Sequence, residues 1–177
     1  MHFFLQGPKR IGKSTVIRTA IDILAENSPL SIGGFYTWKQ DKTDQHVYMR
    51  PARSDADGEI YRLAGYDETS GRMIGNIETF ENDGVRLLSM RDGVDLIVMD
   101  ELGFFESDAP MFRQAVMDAL DGDIPVIGAL RQGEVAWHEA IKRHPMVTVL
   151  IVDEKNRDAM PREIVFSIEM RLRATRE

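Results

Sequence analysis

Two groups of residues in this sequence have the types and spacing that phosphate chemistry needs. The first is Gly7-Pro8-Lys9-Arg10-Ile11-Gly12-Lys13-Ser14, followed by Thr15. It fits G-x-x-x-x-G-K-[ST], a loop that curls so that successive backbone N–H groups point inward at an anion. In such a loop Lys13 reaches the β- and γ-phosphates of a nucleotide, and the Ser14 hydroxyl is placed to ligate Mg²⁺. The second group is Asp100-Glu101, which ends the apolar run Leu96-Ile97-Val98-Met99. Ligands of open α/β sheets sit at the carboxyl ends of the strands, where this pair falls. Asp100 there holds Mg²⁺ opposite Ser14, directly or through a water, and Glu101 orients or deprotonates a water in line with the γ-phosphate.

Phosphoryl transfer also calls for positive charge on the γ-phosphate oxygens. Arg10, Arg131 after the apolar run Val126–Leu130, Arg157, Arg50, Arg53 and Arg72 are the candidates, and the sequence does not choose among them, with Arg131 set foremost. The segment Asn156-Arg157-Asp158 comes after the last apolar run. Two readings stay open for it. Arg157 can stack on a nucleotide base beside a hydrogen-bonding Asn156, or the segment can cap the helix that Pro161 begins.

The elements that must position these residues are legible in the apolar pattern. Phe3-Phe4-Leu5 reads as a strand before the loop. Val16, Ile17, Ala20, Ile21 and Leu24 give one apolar helix face over residues 13–27, whose positive N-terminal end points at the bound anion. Residues 32–38 read as a strand containing a glycine pair. Runs around His46–Arg50 and Glu59–Leu63, separated by a turn at Asp55-Ala56-Asp57-Gly58, predict an antiparallel hairpin or flap. Ser28-Pro29 marks a break, and Thr79 is placed to cap a helix reaching Met90. The second half alternates buried strands (94–99, 124–130 and 147–152) with helices (109–120, 134–143 and 160–173). Met111, Phe112, Ala115, Val116 and Ala119 face inward on the first of those helices. This alternation predicts a parallel sheet covered on both faces, in one α/β domain spanning residues 1–177.

Composition narrows the function classes. The chain has 177 residues, 43% hydrophobic and 29% charged, with a net charge of −7 and no cysteine. A thiolate metal site and a disulfide framework are thereby excluded. Eleven acidic but only three basic residues lie between Glu81 and Asp123, so the rest of the chain is nearly neutral. That balance argues against nucleic acid or anionic membranes as partners and for a polyphosphate bound as its Mg²⁺ complex. The sequence shows neither a signal peptide nor a span-length apolar run, so a cytoplasmic, monomeric protein is expected.

Several blocks in order resemble the THEP-type, or cancer-related, nucleoside-triphosphatases. These are Gly7–Ser14, Gly34-Phe35-Tyr36-Thr37, Gly71-Arg72, Asp100-Glu101-Leu102-Gly103 with Glu106, and Asn156-Arg157-Asp158. The resemblance implies a three-layer, RecA-like P-loop NTPase fold in which the catalytic glutamate follows the metal-site aspartate. It also implies Mg²⁺-dependent hydrolysis of ATP, GTP and other nucleoside triphosphates to the diphosphate and phosphate. The chain departs from the family at Phe104-Phe105, where a basic residue is usual, and at Trp38-Lys39-Gln40-Asp41, which is less basic than the family hairpin. Two other functions fit the same residues. One is a nucleotide or small-molecule kinase, with flap arginines clamping the acceptor. The other is a nucleotide-gated binding protein that hydrolyses incidentally.

Overall fold

Apolar residues at both odd and even positions of a strand demand cover on both faces of the sheet. The computed structural model, which describes residues 1–27, 29–41, 43–53 and 58–174, meets that demand. Its elements run β1 (His2–Gln6), α1 (Lys13–Asn27), β2 (Ile32–Trp38), β3 (His46–Pro51), β4 (Tyr61–Asp67) and β5 (Arg72–Gly75). A helical stretch follows, made of α2 (Ile77–Thr79), a π turn (Phe80–Gly84) and α3 (Val85–Ser89). Then come β6 (Leu96–Leu102), α4 (Pro110–Leu120), β7 (Val126–Leu130), α5 (His138–Arg143), β8 (Val147–Ile151) and α6 (Met160–Ala174).

The strands form one sheet in the order β5-β4-β3-β2-β6-β7-β1-β8. From β2 to β8 every neighbouring pair is parallel. From β2 outward to β5 every pair is antiparallel. Phe3 and Leu5 of β1 point to the face covered by α1 and α6, where they meet Ile17, Ala20, Ile164 and Ile168. Phe4, one residue out of phase, joins Ile97, Met99, Leu88, Phe112 and Val116 beneath α3 and α4. Each such side chain, fully buried, contributes about 1.5–3 kcal/mol.

Between β2 and β6 the backbones come unusually close. A Cβ on Gly34, whose φ is +84°, would lie 2.0 Å from the Val98 carbonyl oxygen. Only glycine fits there, and the glycine pair seen in the sequence has this approach as its cause.

Several expectations change in detail. The antiparallel part comprises β3, β4 and β5, and it extends the central sheet instead of standing apart as a flap. Helix α2 starts before Thr79, because Asn76 accepts the Thr79 N–H and acts as the cap. Met111 faces solvent while Phe112, Ala115, Val116 and Ala119 are buried. The helix expected from 134 begins only at His138. β8 is an edge strand with a single strand neighbour, so Ile151 is exposed although Val147 and Leu150 pack against the two cores. β6 continues through Asp100 and Glu101, joined by a cis peptide bond, to Leu102. Ser28 and Asp55–Asp57 lie outside the described residues. No helix among the described residues is long and apolar enough to cross a membrane.

Candidate nucleotide site

The loop Gly7–Gly12 joins the carboxyl end of β1 to α1, as a phosphate-binding loop must. Its curl has a backbone cause. Gly12 sits at φ +112° and Arg10 at φ +67°, and the Ile11 N–H donates to the Pro8 carbonyl at 3.2 Å. Positive φ is costly for a side chain such as that of Arg10, so the loop holds Arg10 in a conformation that a free chain would seldom adopt.

β7 lies between β1 and β6. The loop strand and the acidic strand are therefore two spacings apart, roughly 10 Å. The gap is bridged by side chains. Ser14 Oγ donates to Asp100 Oδ1 at 3.0 Å, and Lys13 Nζ lies 3.3 Å from Glu101 Oε2. Lys13 also folds back to donate to the Gly7 carbonyl at 3.2 Å and is only 7% exposed.

Asp100 is 1% exposed, and its Oδ2 makes no hydrogen bond among the described residues. Burial, reinforced by the charge of Glu101, pushes its carboxyl up to about 6, against the Ser14 hydrogen bond and the charges of Arg18 and Lys13. A buried carboxylate oxygen without a partner beside a serine hydroxyl fits a hard cation that takes oxygen ligands and keeps most of its waters, as Mg²⁺ does. Glu101 is different, since a third of its side chain is open to solvent. Its N–H donates to Thr37 Oγ1 at 3.0 Å, which ties the acidic strand to β2.

A cleft of about 350 Å³ opens in front of Lys13 and Glu101, walled by Gly7, Lys9, Arg131 and Gly133. Of the arginine candidates, Arg131 is the one on this cleft. It is held from behind, with its guanidinium 4.5 Å from the centre of the Phe104 ring. On the other side of the loop a second cleft, of about 510 Å³, is lined by Arg10, Ile11, Gly12, Thr15, Arg157 and Pro161. Arg157 donates to the Ile11 carbonyl at 3.3 Å. Asn156 does not line it. Its amide donates to the Ile151 carbonyl and accepts the Asp153 N–H, so it shapes the turn that carries Arg157. Pro8 flanks Lys13, its carbonyl 3.5 Å from Nζ.

The other arginines go elsewhere. Arg53 pairs with Glu59 at 3.1 Å. Arg50 lies on β3 and Arg72 on β5, the latter six strand spacings from β1 or roughly 29 Å away.

Sequence reasoning assigned no role to Thr37, Glu106 or Trp137. Glu106 is buried and its carboxylate accepts the Gly103 N–H, while Trp137 Nε1 donates to the Gly103 carbonyl at 2.9 Å. Burial pushes the Glu106 carboxyl up to about 7. Together they clamp the turn between the acidic pair and Phe104. The sequence did show Thr37 and Glu106 within blocks of the family pattern, without saying what either touches.

The family model described as NTPase matches residues 2–165. The nucleoside-triphosphatase THEP1 of Methanosarcina barkeri is 35% identical over 159 residues, which is 87% of this chain and 89% of that protein. Among solved structures, THEP1 from the hyperthermophile Aquifex aeolicus aligns with a TM-score of 0.78 at 20% identity, covering 96% of this chain and 99% of that one. A human cancer-related nucleoside triphosphatase aligns with a TM-score of 0.74 at 23% identity, covering 96% and 97%. These two likenesses concern the fold, a P-loop α/β architecture.

Proposed function

The chain belongs to the NTPase family, and from that premise we propose that it hydrolyses nucleoside triphosphates at the cluster Lys13, Ser14, Asp100 and Glu101, with Mg²⁺ as cofactor. It is a nucleoside-triphosphatase. That reading is favoured over the kinase and nucleotide-gated alternatives because the relatives across nearly its whole length carry that name. The observation that carries the assignment of residues is the bridge across β7, Ser14 on Asp100 and Lys13 on Glu101.

Gly7 to Thr15 would cradle the phosphates, with backbone N–H groups and the α1 N-terminus directed at them. The nucleotide would extend towards Arg10 and Arg157, where Arg157 offers a planar cation to the base. Ser14 and Asp100 would hold Mg²⁺, which when bound neutralises charge on the β- and γ-phosphate oxygens. Lys13 leaves Glu101 to meet the same oxygens. The freed Glu101 carboxylate orients a water and accepts its proton as the water oxygen attacks the γ-phosphorus. The bond to the bridging oxygen breaks, and the diphosphate leaves. Arg131 supplies positive charge to the γ-phosphoryl group from the cleft wall.

Phosphate release from ATP and GTP tests the reading. It is expected with Mg²⁺, lost with EDTA, and lost in Lys13→Ala together with triphosphate binding. Release unaffected by EDTA, or triphosphate binding unchanged in Lys13→Ala, would overturn it.

A further inference from the structure

One strand beyond the acidic pair lies a cleft of about 610 Å³ that the hydrolytic site leaves unused, with Arg18, Tyr36, Trp38 and Arg50 on its walls. Its size falls in the range of roughly 300–1,000 Å³ typical of small-ligand sites. Tyr36 faces Asp100 directly in the β2–β6 register. Arg18 is one helical turn after Ser14 and so shares its face of α1. The cleft therefore adjoins the metal side of the triphosphate site without being part of it.

The cations are the feature that calls for a ligand. The Arg18 guanidinium lies 5.9 Å from the Tyr36 ring centre and that of Arg50 lies 5.5 Å from it. Among the described residues neither guanidinium makes a salt bridge or a hydrogen bond, although the charge of Arg18 acts on Asp100 and Asp22 also acts on Tyr36. Most other arginines near this wall are committed. Arg53 and Arg86 both bind Glu59, the carboxylate on the cleft rim, and Tyr61 donates to it as well. The rim acid is thus neutralised while two planar cations lie against the Tyr36 ring. Guanidinium pairs of this kind suit a phosphate monoester, which accepts two parallel N–H bonds from each. Trp38, packed on Tyr48 at 5.7 Å between ring centres, adds an aromatic surface for a planar ring.

We propose that this cleft is a second ligand site, taking a small phosphate monoester that carries a planar ring, of the nucleoside-monophosphate class, beside the bound triphosphate. A polymer is disfavoured by the net charge of −7 and by the acidic run from Glu81 to Asp123.

The test is calorimetric titration of AMP into protein whose loop is saturated with Mg²⁺ and a non-hydrolysable ATP analogue. One further saturable event per chain is expected, and adenosine without phosphate should bind at least tenfold more weakly. Arg50→Ala and, separately, Arg18→Ala should each weaken AMP by about tenfold or more, the loss of charge-assisted hydrogen bonds. The analogue's affinity should not change in Arg50→Ala. Lys13→Ala keeps AMP binding while losing the analogue, which separates this proposal from the hydrolytic reading. The proposal is overturned by no second event at millimolar AMP, by undiminished AMP binding in both arginine variants, or by loss of AMP binding in Lys13→Ala. Tighter binding of an oligoadenylate dodecamer than of AMP at this cleft would overturn it in favour of a nucleic-acid surface.

Discussion

Replacing Glu101 by Gln should separate binding from hydrolysis, and the structure sets the size of each effect. Before nucleotide arrives, Glu101 holds Lys13 at 3.3 Å. Two unit charges at about that distance attract by roughly 5 kcal/mol at an effective permittivity of about 20, before desolvation and screening are counted. Glu101 is a third exposed, and measured pairs of this kind are worth only roughly 0.2–1 kcal/mol net. Lys13 must give up that contact to reach the phosphates. In Glu101→Gln the amine is already released, so a triphosphate analogue should bind as tightly as before or up to about fivefold tighter. The chemical step should lose the group that takes the water's proton, a deficit of about 10²–10⁴ in turnover. Equilibrium titration with a fluorescent analogue gives the first quantity and single-turnover phosphate release gives the second. Turnover within threefold of the parent would remove Glu101 as the base. Affinity reduced tenfold would mean that Glu101 helps to hold the nucleotide, contrary to the geometry on which the reasoning rests.

Glu106 makes stability depend on pH. Its folded value of about 7 lies above the ordinary 4.5, so the fold favours the neutral acid. The stabilisation is full below about 4.5 and is lost as pH rises through about 7, a change on the order of 3 kcal/mol. Melting curves of Glu106→Gln should be flatter over that window, and parallel curves for the two proteins would refute the assignment. Arg157→Ala should weaken triphosphate binding by about fivefold to thirtyfold with turnover unchanged, the value of a cation stacked on a ring. A fall in turnover at constant affinity would instead put Arg157 at the reacting phosphate. Gly34→Ala should destabilise by more than about 2 kcal/mol, since the left-handed backbone alone costs roughly 1–2 kcal/mol and its Cβ would meet Val98 O at 2.0 Å. An unchanged denaturation midpoint would contradict the close approach of β2 and β6.

What sequence reasoning reached was whatever depends on short-range pattern. The loop and its helix were readable because a phosphate cradle is built from consecutive residues, and because Val16, Ile17, Ala20, Ile21 and Leu24 repeat at helical spacing. Strands 96–99 and 126–130 were readable because both faces of a central parallel strand are apolar. The same reasoning misjudged 147–152, whose apolar residues line an edge, because composition does not say how many neighbours a strand has. Met111 and Thr79 were misplaced for two other reasons. Met111 suits a buried position, but the phase of α4 against its neighbours turns it to solvent, while for Thr79 the hydrogen bond from its N–H to Asn76 starts the helix earlier.

The sequence by itself therefore marked the candidates for the proposed chemistry: the Gly7–Ser14 loop, Asp100, Glu101 and a set of arginines. Only the tertiary structure decided which of them meet. Strand order is a non-local property, and it is the insertion of β7 between β1 and β6 that leaves the gap Ser14–Asp100 and Lys13–Glu101 span. The same order sends Arg72 to the far edge of the sheet and puts Arg131 on the cleft. It also leaves Arg18 and Arg50, indistinguishable in sequence from other surface arginines, facing one tyrosine beside the site.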